Sequence, residues 1–175
     1  QGRGTEVLDY KTTQKLNQVT SFSETLKAKG YNVGSKSMYI DMAIPTKNIL
    51  VDLNLPEDTE VVRIQRIQLA NGKPIAVMTN YITPEIVPGI LEDTGKFVSL
   101  YNHLETKYKV VITAAKDQIS AKVADFLESE LLQLPIGSPL LVDRRVTFSL
   151  DDPIEVVVMI VDASRYEFSV SLVGR

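Results

Sequence analysis

Cysteine and tryptophan are absent from this 175-residue chain, and histidine occurs once, as His103. Without cysteine there is no disulfide scaffold, zinc ribbon or thiol nucleophile. One histidine is too few for a paired-histidine metal site or mechanism, and no Ser–His–Asp order can be built around it. No apolar run approaches the ~18 residues of a membrane span and no signal-like start is visible, so a cytosolic protein without a membrane partner is expected. A glycine-rich phosphate loop and zinc-ligand spacing are also missing, and no cofactor is expected. Charge of one sign is scarce too. The net charge of −3 argues against nucleic-acid binding by this stretch of chain itself, because such domains carry a basic face.

What is present suffices for one domain with a real core: 44% of residues are hydrophobic and 23% are charged, of mixed sign. Gln1–Thr5 reads as a loop leading into an extended segment, Glu6–Tyr10. Within Leu16–Gly30, Ser21 and Glu24 form a capping box, and Lys27, Lys29 and Gly30 close the helix. Tyr31–Ile44 is extended, and Thr46–Leu53 forms a short helix ended by Pro56. Thr59–Leu69 and Pro74–Ile82 read as a hairpin around the Asn71-Gly72 turn. Pro84–Leu91 makes a turn of helix, Ser99–Tyr108 a helix, and Val110–Ile119 a strand. Ala121–Leu134 is expected as an amphipathic helix with Val123, Phe126, Leu127 and Leu131 on its apolar stripe. Leu140–Phe148, Ile154–Val161 and Tyr166–Val173 complete the strands. The pattern predicts an α+β fold with a largely antiparallel sheet.

The chain also repeats itself. At an offset of 79 positions, Leu53, Leu55, Pro56, Arg66, Pro74, Ile75 and Val77 fall on Leu132, Leu134, Pro135, Arg145, Pro153, Ile154 and Val156. Each copy runs helix, Leu-x-Leu-Pro, strand, tight turn, strand. Two related halves facing each other across one sheet can enclose a cleft.

The repeat puts an arginine at the same place in both halves, Arg66 and Arg145, each amid apolar neighbours. By the period of two, Val62, Ile64, Arg66 and Gln68 share a strand face, with Ala76, Met78 and Asn80 opposite; Arg145, Thr147 and Glu155 belong to the second copy. Two roles are open for the arginines: bidentate capture of a phosphate or carboxylate, or structural ion pairs beside the sheet. Thr20-Ser21-Phe22-Ser23 is likewise either an anion-binding helix start or an ordinary N-cap. His103, Glu128 and Glu130 read as solvated helix residues, and Asp151-Asp152 as turn formers.

The order of the segments VTSFSE (Val19–Glu24), VVRIQRIQLANGKPIAV (Val61–Val77), YITPEIVPGI (Tyr81–Ile90), SLYNHL (Ser99–Leu104) and RYEFSVSL (Arg165–Leu172) resembles the UTRA effector-binding domain of GntR-type transcription regulators of the HutC subfamily. The resemblance implies a chorismate-lyase-like fold: a central antiparallel sheet flanked by helices, with ligand between two pseudo-repeated halves. It implies that residues 1–10 are the remnant of a wing and linker plus a first strand, and 11–175 the effector-binding and dimerisation domain. The DNA-binding winged helix-turn-helix would then be missing from this sequence. In sugar-phosphate-responsive members the matching loop and a basic strand residue grip the phosphate, which points to Ser21, Phe22, Ser23 and Arg66. Ser99, Tyr101 and Glu155 match further site positions. The second arginine of the family's Arg-x-Arg is replaced by Gln68, the acidic residue of the return strand by Met78, and of a closing YRGDRY only Arg165 and Tyr166 remain. With Arg145, these residues make up the candidate effector site. The implied function is a homodimeric regulator domain, expected to serve a repressor, that binds a small anionic metabolite and controls operator DNA only through the missing domain. The alternatives are a chorismate-lyase-type enzyme, or a dimerisation module with a vestigial pocket.

Overall fold

Runs of β-branched and aliphatic residues build one six-stranded sheet. The computed structural model describes residues 11–174, so the wing-like start and the Glu6–Tyr10 segment lie outside the described residues. In chain order the elements are β1 (Thr12–Lys15), α1 (Phe22–Ala28), β2 (Val33–Ala43), α2 (Lys47–Asp52), β3 (Val61–Ala70), β4 (Lys73–Ile82), 3-10 turns at Pro84–Ile86 and Ile90–Asp93, α3 (Leu100–Lys107), β5 (Ala114–Val123), α4 (Phe126–Leu132), β6 (Pro139–Ser149), β7 (Asp152–Asp162) and β8 (Tyr166–Ser169). The large sheet has the order β2-β3-β4-β7-β6-β5 and is antiparallel throughout; β1 and β8 pair parallel in a separate two-stranded ribbon. The expected α+β fold, an antiparallel sheet flanked by helices, is the one observed.

The duplication extends further than its trace in sequence. α2 and α4 begin 79 positions apart, as do the bulges after Gln68 in β3 and after Thr147 in β6. Asn54 and Gln133 share a left-handed backbone (φ 56° and 57°), and so do Asn71 and Leu150 (51° and 56°). Even the edges correspond: Ala43 opposite Val61 on β2–β3 is matched by Lys122 opposite Leu140 on β5–β6. The halves meet where Thr79 of β4 faces its own equivalent, Val158 of β7. One difference stands out. β2 is bulged between Lys36 and Tyr39, with Ser37 at φ 52°, whereas β5 pairs with β6 over its whole length without a register shift.

α2 and α4 cover the back of the sheet, through Ile49, Leu50 and Leu53 against Val61, Val146 and Val156, and through Leu132 against Leu140. α1, the β1–β8 ribbon and the 84–108 segment cover the front, where Phe22 and Leu26 pack on Met78, Val157 and Met159, and Leu100 and Leu104 pack on Val62 and Ile64. The site lies between this front layer and the sheet.

Several local expectations need correction. β5 starts four residues later than expected and runs to Val123, so Ala121–Val123 belong to a strand. Asp125 and Glu128 then form a capping box that starts α4 at Phe126. The expected apolar stripe is therefore not a buried face: Val123, Phe126 and Leu127 are 63%, 69% and 63% exposed. Glu128 is buried instead, its carboxylate capping Asp125 and accepting from Lys122 Nζ at 2.6 Å. His103 is not solvated either. It stacks on Phe97 (4.4 Å between centroids) and its Nε2 lies 2.8 Å from Asp93 Oδ2. Burial alone would raise the Asp93 carboxyl, but hydrogen bonds from Lys107, His103 and Tyr108 hold it well below the usual range, which ties α3 to the preceding 3-10 turn.

Candidate functional site

The strand registers arrange the front face of the sheet in rows. One row runs Arg66 (β3), Met78 (β4), Met159 (β7), Asp143 (β6); the next runs Ile64, Asn80, Val157, Arg145, Asp117 (β5). The offset of 79 converts each row into the other, read backwards, so that Arg66 becomes Arg145, Met159 corresponds to Asn80, and Asp143 to Ile64. A third row carries Glu155 beside Thr147.

Arg145 is held on all sides. Its Nε and Nη2 donate to the two carboxylate oxygens of Asp117 at 2.6 and 3.3 Å, and Nη1 donates to the Thr20 carbonyl at 2.8 Å. Burial would lower this guanidinium, but Asp117 and Tyr101 outweigh it and keep its pKa above the ordinary value. Of the two roles open to the arginines, the structural ion pair is the one seen here.

Arg66 is different. It is 4% exposed and has no carboxylate partner: Nη1 donates to Asn80 Oδ1 at 3.1 Å, Nη2 approaches Met78 Sδ at 3.9 Å, and Nε has no partner. Burial pulls its pKa down to about 10, with Glu155 pulling the other way, so it remains a cation at neutral pH. Asn80 stands between Arg66 and Glu155, donating to Glu155 Oε1 at 2.5 Å. Thr147 donates to Glu155 Oε2 at 2.8 Å; with its proton thus committed, it must accept from Tyr101, whose hydroxyl lies 2.8 Å away. Burial raises the Glu155 carboxyl, while Thr147, Asn80 and the two arginines oppose that. Glu155 is the anchor of this network, and both its oxygens are already engaged.

A cavity of about 30 Å³ lies over these rows, lined by Arg66, Met78, Asn80, Asp143, Arg145, Glu155, Val157 and Met159 from the sheet, Ser21–Ser23 from α1 and its cap, Leu100 and Tyr101 from α3, and Gln14 from β1. Of the residues singled out from sequence, Ser21, Phe22, Ser23, Arg66, Met78, Tyr101, Arg145 and Glu155 come together there. Gln68, Ser99 and Tyr166 do not line it. Gln68 is fully buried one row away and donates to the Gly34 carbonyl at 2.6 Å, pinning β2. Ser99 caps α3, accepting from Asn102 N at 3.3 Å. Tyr166 packs against Phe22, and its hydroxyl donates to Gln14 at 2.6 Å. The capping box is complete, Ser21 Oγ accepting from Glu24 N at 3.1 Å and Ser21 N donating to Glu24 at 2.8 Å, so the N-cap role is observed and the hydroxyl still faces the cavity.

Asn80 had been placed on this face from sequence without being chosen for the site, while Asp143, Asp117 and Gln14 escaped notice. Asp143 could have been found by the period of two from Arg145. Asp117 and Gln14 carry no local signal, because only sheet pairing and the front layer bring them in. Asp143 is buried, and its carboxyl is pushed up to about 7 by burial and by the Asp117 charge diagonally across the ladder; Arg145 only partly opposes this.

Comparison with known families adds the deciding observation: the UTRA domain matches residues 28–167. This chain belongs to the UTRA domain family. Among relatives of this UTRA domain, the HTH-type transcriptional repressor NagR of Bacillus subtilis is 30% identical over 84% of the chain and 60% of its own length. The histidine utilization repressor of Pseudomonas putida is 24% identical over 95% of the chain and 66% of its own length. The chain thus spans less than two thirds of either relative. Among solved structures, the effector domain of PhnF from Mycobacterium smegmatis superposes with a TM-score of 0.82 at 21% identity, covering 93% of this chain and 99% of that one, and shares the fold. Among the described residues no helix is long and apolar enough to cross a membrane.

Proposed function

We propose that this UTRA domain senses a small anionic metabolite, a sugar phosphate being one candidate, and as half of a homodimer controls the operator binding of a winged helix-turn-helix domain outside this chain. The observation that carries the proposal is Arg66: a buried cation that faces a cavity, lacks a carboxylate partner and keeps an unserved N–H. An unpaired buried charge is costly, and an entering anion would compensate it through a planar fork. Ser21 stands at the same cavity as a further donor, while the Ser23 hydroxyl is given to the Val98 carbonyl at 3.2 Å. The names of the relatives, regulators and repressors, support a sensing role rather than catalysis.

The cavity, about 30 Å³, holds roughly one water, so a metabolite enters only if the front layer moves off the sheet. Gln14 and Ser21–Ser23 would move with it, and they lie on the N-terminal side of the domain. A ligand shifts such an equilibrium by its differential affinity for the two arrangements. Dimerisation is assigned to the β5 edge. The unbulged β5 and the exposed Val123, Phe126 and Leu127 beside it form an unprotected edge, whereas the bulge in β2 blunts the other one.

A thermal-unfolding screen of inorganic phosphate, sugar phosphates and small carboxylic acids tests the sensing role. A ligand present at ~100 times its dissociation constant adds about 2.7 kcal/mol of stability. Protection by an anion that survives in Arg66→Ala would move the anion site elsewhere. Sedimentation of the wild type as dimer and of Ile119→Lys as monomer tests the edge; a wild-type monomer at tens of micromolar would refute it.

A further inference from the structure

Arg66 and Asp143 stand on one cross-sheet row, with only Met78 and Met159 between them. The flanking backbones are three strand spacings apart, roughly 14 Å. An arginine and an aspartate side chain take up most of that span and leave a gap of a few bonds over an apolar floor. Asp143 is 2% exposed and lines the cavity, and its Oδ1 has no hydrogen-bond partner among the described residues. The donors nearest to it are committed elsewhere. Arg145 gives three of its five N–H groups to Asp117 and the Thr20 carbonyl, and the Tyr166 hydroxyl is given to Gln14. Asp117 is itself a carboxylate, and Met159 on β7 offers no donor. A proton on Asp143 still leaves it with an acceptor oxygen to be served. Buried acceptors are nearly always satisfied, and the equivalent position in the other half is the apolar Ile64.

We propose that Asp143 accepts a hydrogen bond from the effector, so that the site takes a small anion carrying a hydroxyl or amino group a few bonds from its charge. This rests on the anion site at Arg66 set out above. The anion lies against Arg66, the methionines bear the carbon chain, and Asp143 selects the donor at the far end. A carboxylic acid holding a proton serves a hydroxyl as acceptor; an ammonium group displaces the proton and pairs with the carboxylate. Anions without a donor leave Asp143 unserved and are discriminated against.

The test uses the whole chain and alkyl phosphates of two to five carbons ending in methyl, hydroxyl or amino groups, titrated calorimetrically. At one length the hydroxyl or amino member is expected to bind at least tenfold more tightly than its methyl isostere. In Asp143→Leu that advantage should fall to within twofold while the methyl isostere binds as before. Asp143→Asn, which keeps the acceptor without the charge, should retain the hydroxyl preference and lose the amino one. Wild-type titrations in buffers of different ionisation enthalpy provide a readout that needs no variant: the phosphate releases the same protons in both members, and the amino member releases more than the methyl member of equal length. Equal binding of methyl and donor-bearing members at every length, or a preference that survives in Asp143→Leu, overturns the proposal. Binding of inorganic phosphate and methyl members without any donor preference overturns it while leaving the Arg66 site standing. Failure of every phosphate to bind removes both.

Discussion

Arg145 and Arg66 sit at equivalent positions of the two halves, yet Arg145 has a carboxylate beside it and Arg66 has none. The difference traces to the outer strands. Asp117 on the regular β5 faces Arg145 across the ladder, while the equivalent position on β2 is Met38, inside the bulge between Lys36 and Tyr39. A duplicated fold thus carries the same cation twice, and divergence at the sheet edge makes one part of the scaffold and leaves the other without a carboxylate partner. The same divergence placed Asp143 in the second half, where the first has Ile64, so each half contributes one unsatisfied group to a shared cavity.

The comparison breaks if the two arginines respond alike to removal. Arg145→Ala strands the Asp117 carboxylate and is expected to cost up to about 5 kcal/mol of stability in urea unfolding. Arg66→Met breaks no ion pair and removes a buried charge, so its stability is expected to stay within about 1 kcal/mol of wild type or to rise. Comparable losses in both would show that Arg66 is scaffold too.

The carboxyl pair of the second half sharpens the contrast through pH. Asp143 is pushed up to about 7 from an ordinary 3.8, so between those values the folded chain keeps a proton that the unfolded chain has lost. The Asp143 contribution to stability is therefore fully present below about pH 4 and lost as pH rises to 7, by up to about 4 kcal/mol over the window. Asp143→Asn should lack that component and exceed the wild type above pH 7. Parallel pH–stability profiles for the two proteins would contradict the raised Asp143 carboxyl.

Met38→Asp would give the first half the carboxylate it lacks. Phosphate affinity is expected to fall about tenfold, or 1.4 kcal/mol, as Arg66 acquires a competing partner; unchanged affinity would show that the bulge keeps position 38 away from the guanidinium. The smallest expected effect is that of Ser21→Ala, a loss of about 1 kcal/mol in thermal stability from the broken cap, with a comparable loss in phosphate binding.

Much of this was legible in the sequence because it rests on local rules. The Ser21–Glu24 capping box, the Asn71-Gly72 turn and the period of two along β3 and β6 are short-range patterns, and the repeated Leu-x-Leu-Pro and arginine positions announced the halves. Ala121–Leu134 was misjudged because its apolar residues fit a helical period while the ladder to β6 claims the first of them. The site was legible on the strands that carry its arginines and in the serine loop. What makes the arginines different was not, since Asp117 reaches Arg145 only through cross-strand pairing. Gln68 and Tyr166 are expected at the site because they stand at motif positions of the resembled family, but the Gln68 amide nitrogen donates to Gly34 and the Tyr166 hydroxyl, packed beside Phe22, donates to Gln14.

The most direct test is calorimetric titration of inorganic phosphate, and of the tightest phosphate ester found in the screen, against wild type, Arg66→Ala, Arg66→Lys and Arg145→Lys. Loss of about 2–4 kcal/mol of binding in Arg66→Ala, partial recovery in Arg66→Lys and a near-wild-type affinity in Arg145→Lys are the expected results. Wild-type binding by Arg66→Ala, or a larger loss in Arg145→Lys than in Arg66→Ala, would contradict the assignment of Arg66 to the ligand and Arg145 to the scaffold.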